Sequence, residues 1–171
     1  MIVNLHMHMK TAEILKHKIL EGATLNAKLG EWKSEGKKIV FTNGCFDLLH
    51  AGHIAYLSEA ASLGDILIVG LNSDSSVSQL KGPNRPVNDE KSRSAMLASM
   101  FFIDAVVLFS ADTPLELIMS INPDVLVKGG DYEVFQIAGS KEVLANGGEV
   151  EILSFLPGYS SSAIIEKIKR S

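Results

Sequence analysis

Residues 41–53 read FTNGCFDLLHAGH, and within them His50 and His53 flank an Ala-Gly pair directly behind a run with the character of a buried strand. If a helix begins between His50 and Gly52, the two imidazoles are neighbours on its first turn, where backbone N–H groups lack acceptors and the helix dipole is positive. Two imidazoles, free amides and a glycine between them make a place for an anion, phosphate above all. The positive helix end is expected to lower both histidine pKa values and a bound polyphosphate to raise them, so protonation would follow ligand binding. The same residues admit plainer readings, in which one histidine caps the helix and the other packs. A metal site would need a third ligand at suitable spacing, and the pair has none. Cys45 could be a nucleophile, although a small buried thiol beside a strand is the commoner case.

The elements that must hold this pair are legible as alternating segments. Short apolar runs recur at KIVFT (38–42), DILIVGL (65–71), AVVLF (105–109), DVLVK (124–128) and VEILSF (150–155). Near-continuous apolar runs of this length fit strands buried on both faces of a parallel sheet. Between them lie helix signals. Thr113, Pro114, Leu115 and Glu116 have capping-box spacing with proline at the first helical position, and Gly147-Gly148 closes a helix before the last strand. This alternation predicts an α/β fold, a Rossmann-like doubly wound parallel five-stranded sheet whose ligands sit outside the strand carboxyl ends. Asn43-Gly44 is then the turn after the first strand, where a small residue lets a ligand approach the backbone. Residues 10–36 read as an extra amphipathic helical segment, with Ile14, Leu15, Ile19 and Leu20 on its apolar side. The expected division is a helical extension over 1–37 and a catalytic unit over 38–171, together one globular domain.

Composition narrows the ligand classes. A chain of 171 residues, 46% apolar, can bury one core. Its formal charge of −4 and scattered basic residues argue against a nucleic-acid surface and favour a small anionic ligand. One cysteine excludes an internal disulfide framework and suits a reducing cytosol. No apolar stretch has membrane-spanning length, and MIVNLHMHMK lacks the features of a signal peptide, so a cytoplasmic location is expected. No function is assigned to those first ten residues.

GCFDLLHAGH resembles the GxFDxxHxGH signature of the cytidylyltransferase-like nucleotidyltransferases. The likeness continues through LKGPNRPVN (80–88), Arg93, DTPLELI (112–118), PDVLVKGGDY (123–132) and LPGYSSSAIIEKI (156–168). These segments are most similar to the branch that adenylylates heptose 1-phosphate. The resemblance implies the HxGH type of nucleotidyltransferase fold, with ATP and a sugar 1-phosphate as substrates. It also implies Mg²⁺ held mainly through nucleotide phosphates rather than by a protein metal site, and a homodimer.

Residue roles follow from the same likeness. His50 and His53 would face the α- and β-phosphates, Lys81 and Arg93 would counter phosphate charge, and Arg85 would reach the phosphate of the second substrate. Taken alone, Lys81 to Pro86 reads first as a solvated loop, since charge on loops is ordinary. Thr42, Asn43, Gly44, Cys45, Phe46 and Gly52 would line the nucleotide, with Lys128, Gly130 and Asp131 near the base or ribose. On sequence alone that last loop is also simply a tight turn. Ser160, Ser161 and Ser162 precede the final helix; Ser160 is the expected cap and the others phosphate ligands. The family usually has Ser-Thr-Thr there. Phe46 reads as a core or pocket-wall residue, and Asp47 as a structural acceptor in preference to a magnesium neighbour. The alternatives are a cytidylyltransferase acting on an alcohol phosphate, a nucleotide-binding module without catalysis, and a class I aminoacyl-tRNA synthetase fragment. The last conflicts with the chain's length and the lack of a KMSKS-like loop.

Overall fold

A computed structural model describes residues 11–170, so the His/Met-rich first ten residues lie outside it. Five strands form one all-parallel sheet: β1 (Ile39–Gly44), β2 (Ile66–Asn72), β3 (Ala105–Phe109), β4 (Val125–Gly129) and β5 (Glu149–Leu153), in the order β3-β2-β1-β4-β5. The five apolar runs are these five strands, displaced by no more than two residues at either end. Their alternation feeds two cores. Val40, Leu67, Val69 and Leu71 face one cluster with Leu57 and Leu97, whereas Ile39, Phe41, Ile66 and Ile68 face a second with Ile118, Ile121 and Val143. Burial of these side chains on both faces is why the strands lack polar alternation.

The helices sort accordingly. Helix α3 (Ala51–Ala61) and helix α5 (Glu90–Ala98) supply the first cluster, while α6 (Leu115–Ile121) and α7 (Ser140–Ala145) supply the second. Helix α4 (Asp74–Lys81) follows β2, and α8 (Ser161–Lys169) follows β5 with no buried residue. Because β1 lies between β2 and β4, the winding direction reverses beside it, which opens a crevice at the carboxyl ends of β1 and β4.

Two local expectations are corrected. The N-terminal segment is two helices, α1 (Thr11–Lys18) and α2 (Gly22–Ser34), and not one apolar-sided run. Ile19 and Leu20 leave the helix because the Leu20 N–H donates to the Val106 carbonyl at 2.9 Å, making a parallel bridge on β3. A backbone bond to a strand replaces the helical one, and α2 then buries Leu25 and Leu29 in the second core. At α6 the cap is Pro114, with no side-chain bond from Thr113. The helix starts one residue later than the spacing predicts, so the capping box does not form. At α7 the expectation holds: Gly147 takes a φ of +82° after the cap, and Gly148 N–H returns to the Val143 carbonyl.

Candidate active site

The loop from β1 to α3 delivers the histidine pair. His50 is the N-cap of α3, its Nδ1 accepting the His53 N–H at 3.3 Å. With Nδ1 so engaged, the proton of the neutral ring sits on Nε2. The two rings stack at 3.8 Å between centroids, and Phe46 meets His53 edge-on at 5.4 Å. His50 thus caps the helix while its ring stacks on that of His53. His53 is lowered to about pKa 4, by burial first, then by His50 and Lys81. Burial also lowers His50, against a smaller raising contribution from its own backbone. The direction agrees with expectation, but desolvation rather than the helix end is the first cause.

Asp47 and Arg93 brace this loop. Asp47, 1% exposed, accepts the Arg85 Nε at 2.6 Å and the amides of Val87 and Asn88. Burial opposes its charge, yet these amides and the guanidinium outweigh it and hold the carboxyl below its ordinary pKa. Arg93, 0% exposed, donates to the carbonyls of Asn88, Cys45 and Asn72 and to Asp74. An arginine so engaged faces the protein and not a phosphate, which corrects the expectation for Arg93. It fastens the loop after β1 to the end of β2 and to residue 88. Phe46, held between these anchors, takes a φ of 43°, a left-handed conformation unfavourable for a bulky residue.

A cavity of 470 Å³ opens at the crevice. Of the expected residues, Asn43, Gly44, Cys45, Phe46, His53, Lys81, Lys128 and Ser161 line it. Lys81 is the last residue of α4 rather than part of the loop beyond. The ammonium of Lys128 lies 5.7 Å from the Tyr132 ring centre, and burial lowers its pKa despite opposition from Cys45.

Other expected residues lie elsewhere. Thr42 is fully buried, its hydroxyl bonded to Tyr56 Oη at 2.7 Å. Gly44, although it lines the cavity, still belongs to β1, and a Cβ there would lie 2.9 Å from the Phe46 ring, so its smallness also makes room for Phe46. A Cβ at Gly52 would meet Tyr159 Cβ at 3.0 Å and the His50 ring at 3.1 Å. Packing therefore occupies the gap expected to admit phosphate. Gly130 and Asp131 are not among the lining residues; Gly129 is. Ser160 caps α8, accepting the Ala163 N–H at 3.0 Å, as expected. Ser161 donates its hydroxyl hydrogen to the Leu48 carbonyl, so an anion there would meet backbone amides at the helix start instead. Arg85 and Ser162 line a neighbouring 400 Å³ cavity between residues 84–87 and α8. Among the described residues, the buried side-chain polar atoms without a protein partner are His53 Nδ1 and Arg85 Nη2.

Sequence reasoning missed Tyr56, Asn72, Phe109, Asp112 and Phe155, which also line the cavity. Asn72 and Phe109 end β2 and β3, and Phe155 lies just beyond β5. The rule placing ligands outside strand carboxyl ends was the available signal for these three. No group of three or more His, Cys, Asp or Glu placed to hold a metal occurs among the described residues. Nor does any described helix have the length and apolarity to cross a membrane.

Comparison with known proteins places residues 41–167 within the profile described as cytidylyltransferase-like. The bifunctional protein HldE of Haemophilus influenzae is 54% identical over 88% of this chain and 32% of its own length. HldE of Photobacterium profundum is 60% identical over 80% of this chain and 29% of its own. The chain thus spans about a third of the length of these curated relatives. The crystal structure of a lipopolysaccharide core biosynthesis protein from Thermoplasma volcanium superposes with a TM-score of 0.57 at 27% identity, covering 71% of this chain and 98% of that one. Pantoate-beta-alanine ligase from Francisella tularensis, at 15% identity and a TM-score of 0.57 over 88% of this chain and 76% of that one, shares the fold.

Proposed function

This chain belongs to the cytidylyltransferase-like family, and from that membership we propose that it transfers AMP from ATP to D-glycero-β-D-manno-heptose 1-phosphate, giving ADP-heptose and pyrophosphate. The observation that carries this reading is the single cavity gathering His53, Lys81, Lys128 and the start of α8 at the strand carboxyl ends. The choice of adenine and heptose rests on the motif likeness and on relatives that include HldE and a lipopolysaccharide core biosynthesis protein.

A sugar-phosphate oxygen attacks the α-phosphorus of ATP; the new O–P bond forms as the α–β bridge breaks and pyrophosphate leaves. The attacking phosphate is ionised near neutral pH, so the protein supplies position and charge rather than a strong base. His53 and Lys81 both line the cavity and would meet the phosphates there, the Lys81 ammonium countering their charge. Lys128, Gly129, Tyr132 and Phe155 make the end suited to the nucleoside. Asn72, Phe109 and Asp112 offer polar and apolar contacts for the sugar. Arg93 and Asp47 act through the loop, as positioning residues. Asp47 has both carboxylate oxygens engaged within the loop, so Mg²⁺ would be held mainly through the nucleotide phosphates and would supply charge shielding there.

Pyrophosphate release measured over a matrix of nucleoside triphosphates against sugar 1-phosphates and alcohol phosphates tests the proposal. ATP with a heptose 1-phosphate is expected to turn over fastest. Preference for CTP with an alcohol phosphate would move the activity to the cytidylyltransferase branch, and no release with any pair would reduce the site to nucleotide binding.

A further inference from the structure

Phe155 is large, apolar and 59% exposed, yet it lines the polar crevice. Its ring is seated on Gly129, the last residue of β4, and on Gly130, which follows it. A Cβ at Gly129 would lie 2.5 Å from Phe155 Cε1 and 2.9 Å from Cζ, and one at Gly130 would lie 3.1 Å from Cε2. Tyr56 backs the contact at 6.1 Å between ring centroids. The Gly130 N–H donates to the Leu153 carbonyl at 3.0 Å, so the shelf and the chain leading to Phe155 are joined through the backbone. The ring is thus supported on one side and open elsewhere. An exposed aromatic ring on a firm backbone shelf inside a ligand-sized cavity is suited to receive a flat partner. Tyr132 is the neighbouring ring, but it already has the Lys128 ammonium against it.

We propose that Phe155 is the platform on which the nucleotide base stacks, with Gly129 and Gly130 as the shelf that sets its height. The inference rests on the reading of this cavity as a nucleoside triphosphate site, and it gives a reason for glycine at 129, the last residue of β4, while Gly130 is also required by its φ of +112°. A side chain at residue 129 would push the ring off its seat.

The test separates base from phosphate. Calorimetric titration of the full chain uses ATP and inorganic tripolyphosphate as separate probes, on wild type, Phe155→Ala, Phe155→Leu and Phe155→Trp. Base–aromatic stacking predicts that Phe155→Ala weakens ATP about tenfold or more, with tripolyphosphate affinity unchanged. Phe155→Trp should restore ATP affinity, and Phe155→Leu should not. Equal losses for both probes, no loss for either, or a leucine variant that binds ATP like wild type would overturn the proposal. Failure of wild type to bind ATP would instead overturn the functional reading and remove the premise. A Phe155-dependent difference without pyrophosphate release would support stacking and sink only the transfer reaction.

Discussion

Two loops in this molecule end alike and are built oppositely. The loop after β1 leads to a helix capped by His50, and the loop after β5 to one capped by Ser160; residues near both caps line the same cavity. Around the first, a fully buried arginine and a nearly buried aspartate fasten three segments together, and α3 buries Gly52, Tyr56, Leu57 and Ala60. Around the second, α8 buries nothing, Ile168 is 67% exposed, and the attachment includes one hydroxyl bond from Ser161 to Leu48. Catalytic side chains need fixed geometry, whereas segments that close on a ligand come from the less stable part of a fold. One wall of the cavity is therefore fixed by buried side chains, and the other rests on few contacts.

The sharpest way to break that contrast is Arg93→Met. It strips donors from three backbone carbonyls and Asp74 and is expected to cost about 3 kcal/mol or more. Arg93→Lys recovers only part, because one ammonium cannot reproduce the planar fork. A denaturant midpoint near wild type in Arg93→Met would show that the wall is not held in this way. Next comes His53→Ala, expected to lower turnover about a hundredfold or more while the ATP dissociation constant moves far less. If instead the melting temperature falls and the remaining folded protein keeps near-normal turnover, His53 is a packing residue.

Protonation sharpens the same point. Folded His53 titrates at about 4, below its ordinary value, so between there and about 6.5 the unfolded chain binds more protons. This group therefore makes stability rise with pH across that window and adds no slope above it. Triphosphate favours the charged ring, so ATP binding near pH 5.5 should take up protons in wild type and fewer in His53→Gln. Calorimetry in two buffers of different ionisation enthalpy reads the difference; identical uptake would dissociate His53 from the phosphates. The smallest expected effect is Ser160→Ala, about 1 kcal/mol from the lost cap on α8. Equal melting losses on replacing Ser160, Ser161 or Ser162 singly, with ATP affinity unchanged, would make the whole cluster structural.

The strands were legible because residues such as Val40, Val69 and Val127 must be apolar wherever a sheet is covered on both faces. Ser160 was legible because an N-cap is a local choice. What escaped reading depends on distant partners. Arg93 looks like a phosphate ligand until Cys45, Asn72, Asp74 and Asn88 are seen to converge on it. Ile19 and Leu20 fit a helical stripe until Val106 offers a backbone acceptor. Gly52 looks like an opening for phosphate until Tyr159, over a hundred residues later, is found against it.

The bridge from Ile19 to Val106 also bears on what another chain would meet at the borders of the sheet. Any open sheet has two borders whose unpaired amides and carbonyls invite another chain to add a strand. On the β3 side, the stretch between α1 and α2 partly occupies that border with backbone of its own. On the β5 side the border strand carries exposed Glu149 and Glu151, whose charge discourages a flat apolar neighbour. One margin is guarded by covering and the other by charge, so loss of the first guard would leave β3, with Val106 and Val107 in its middle, as the adhesive margin.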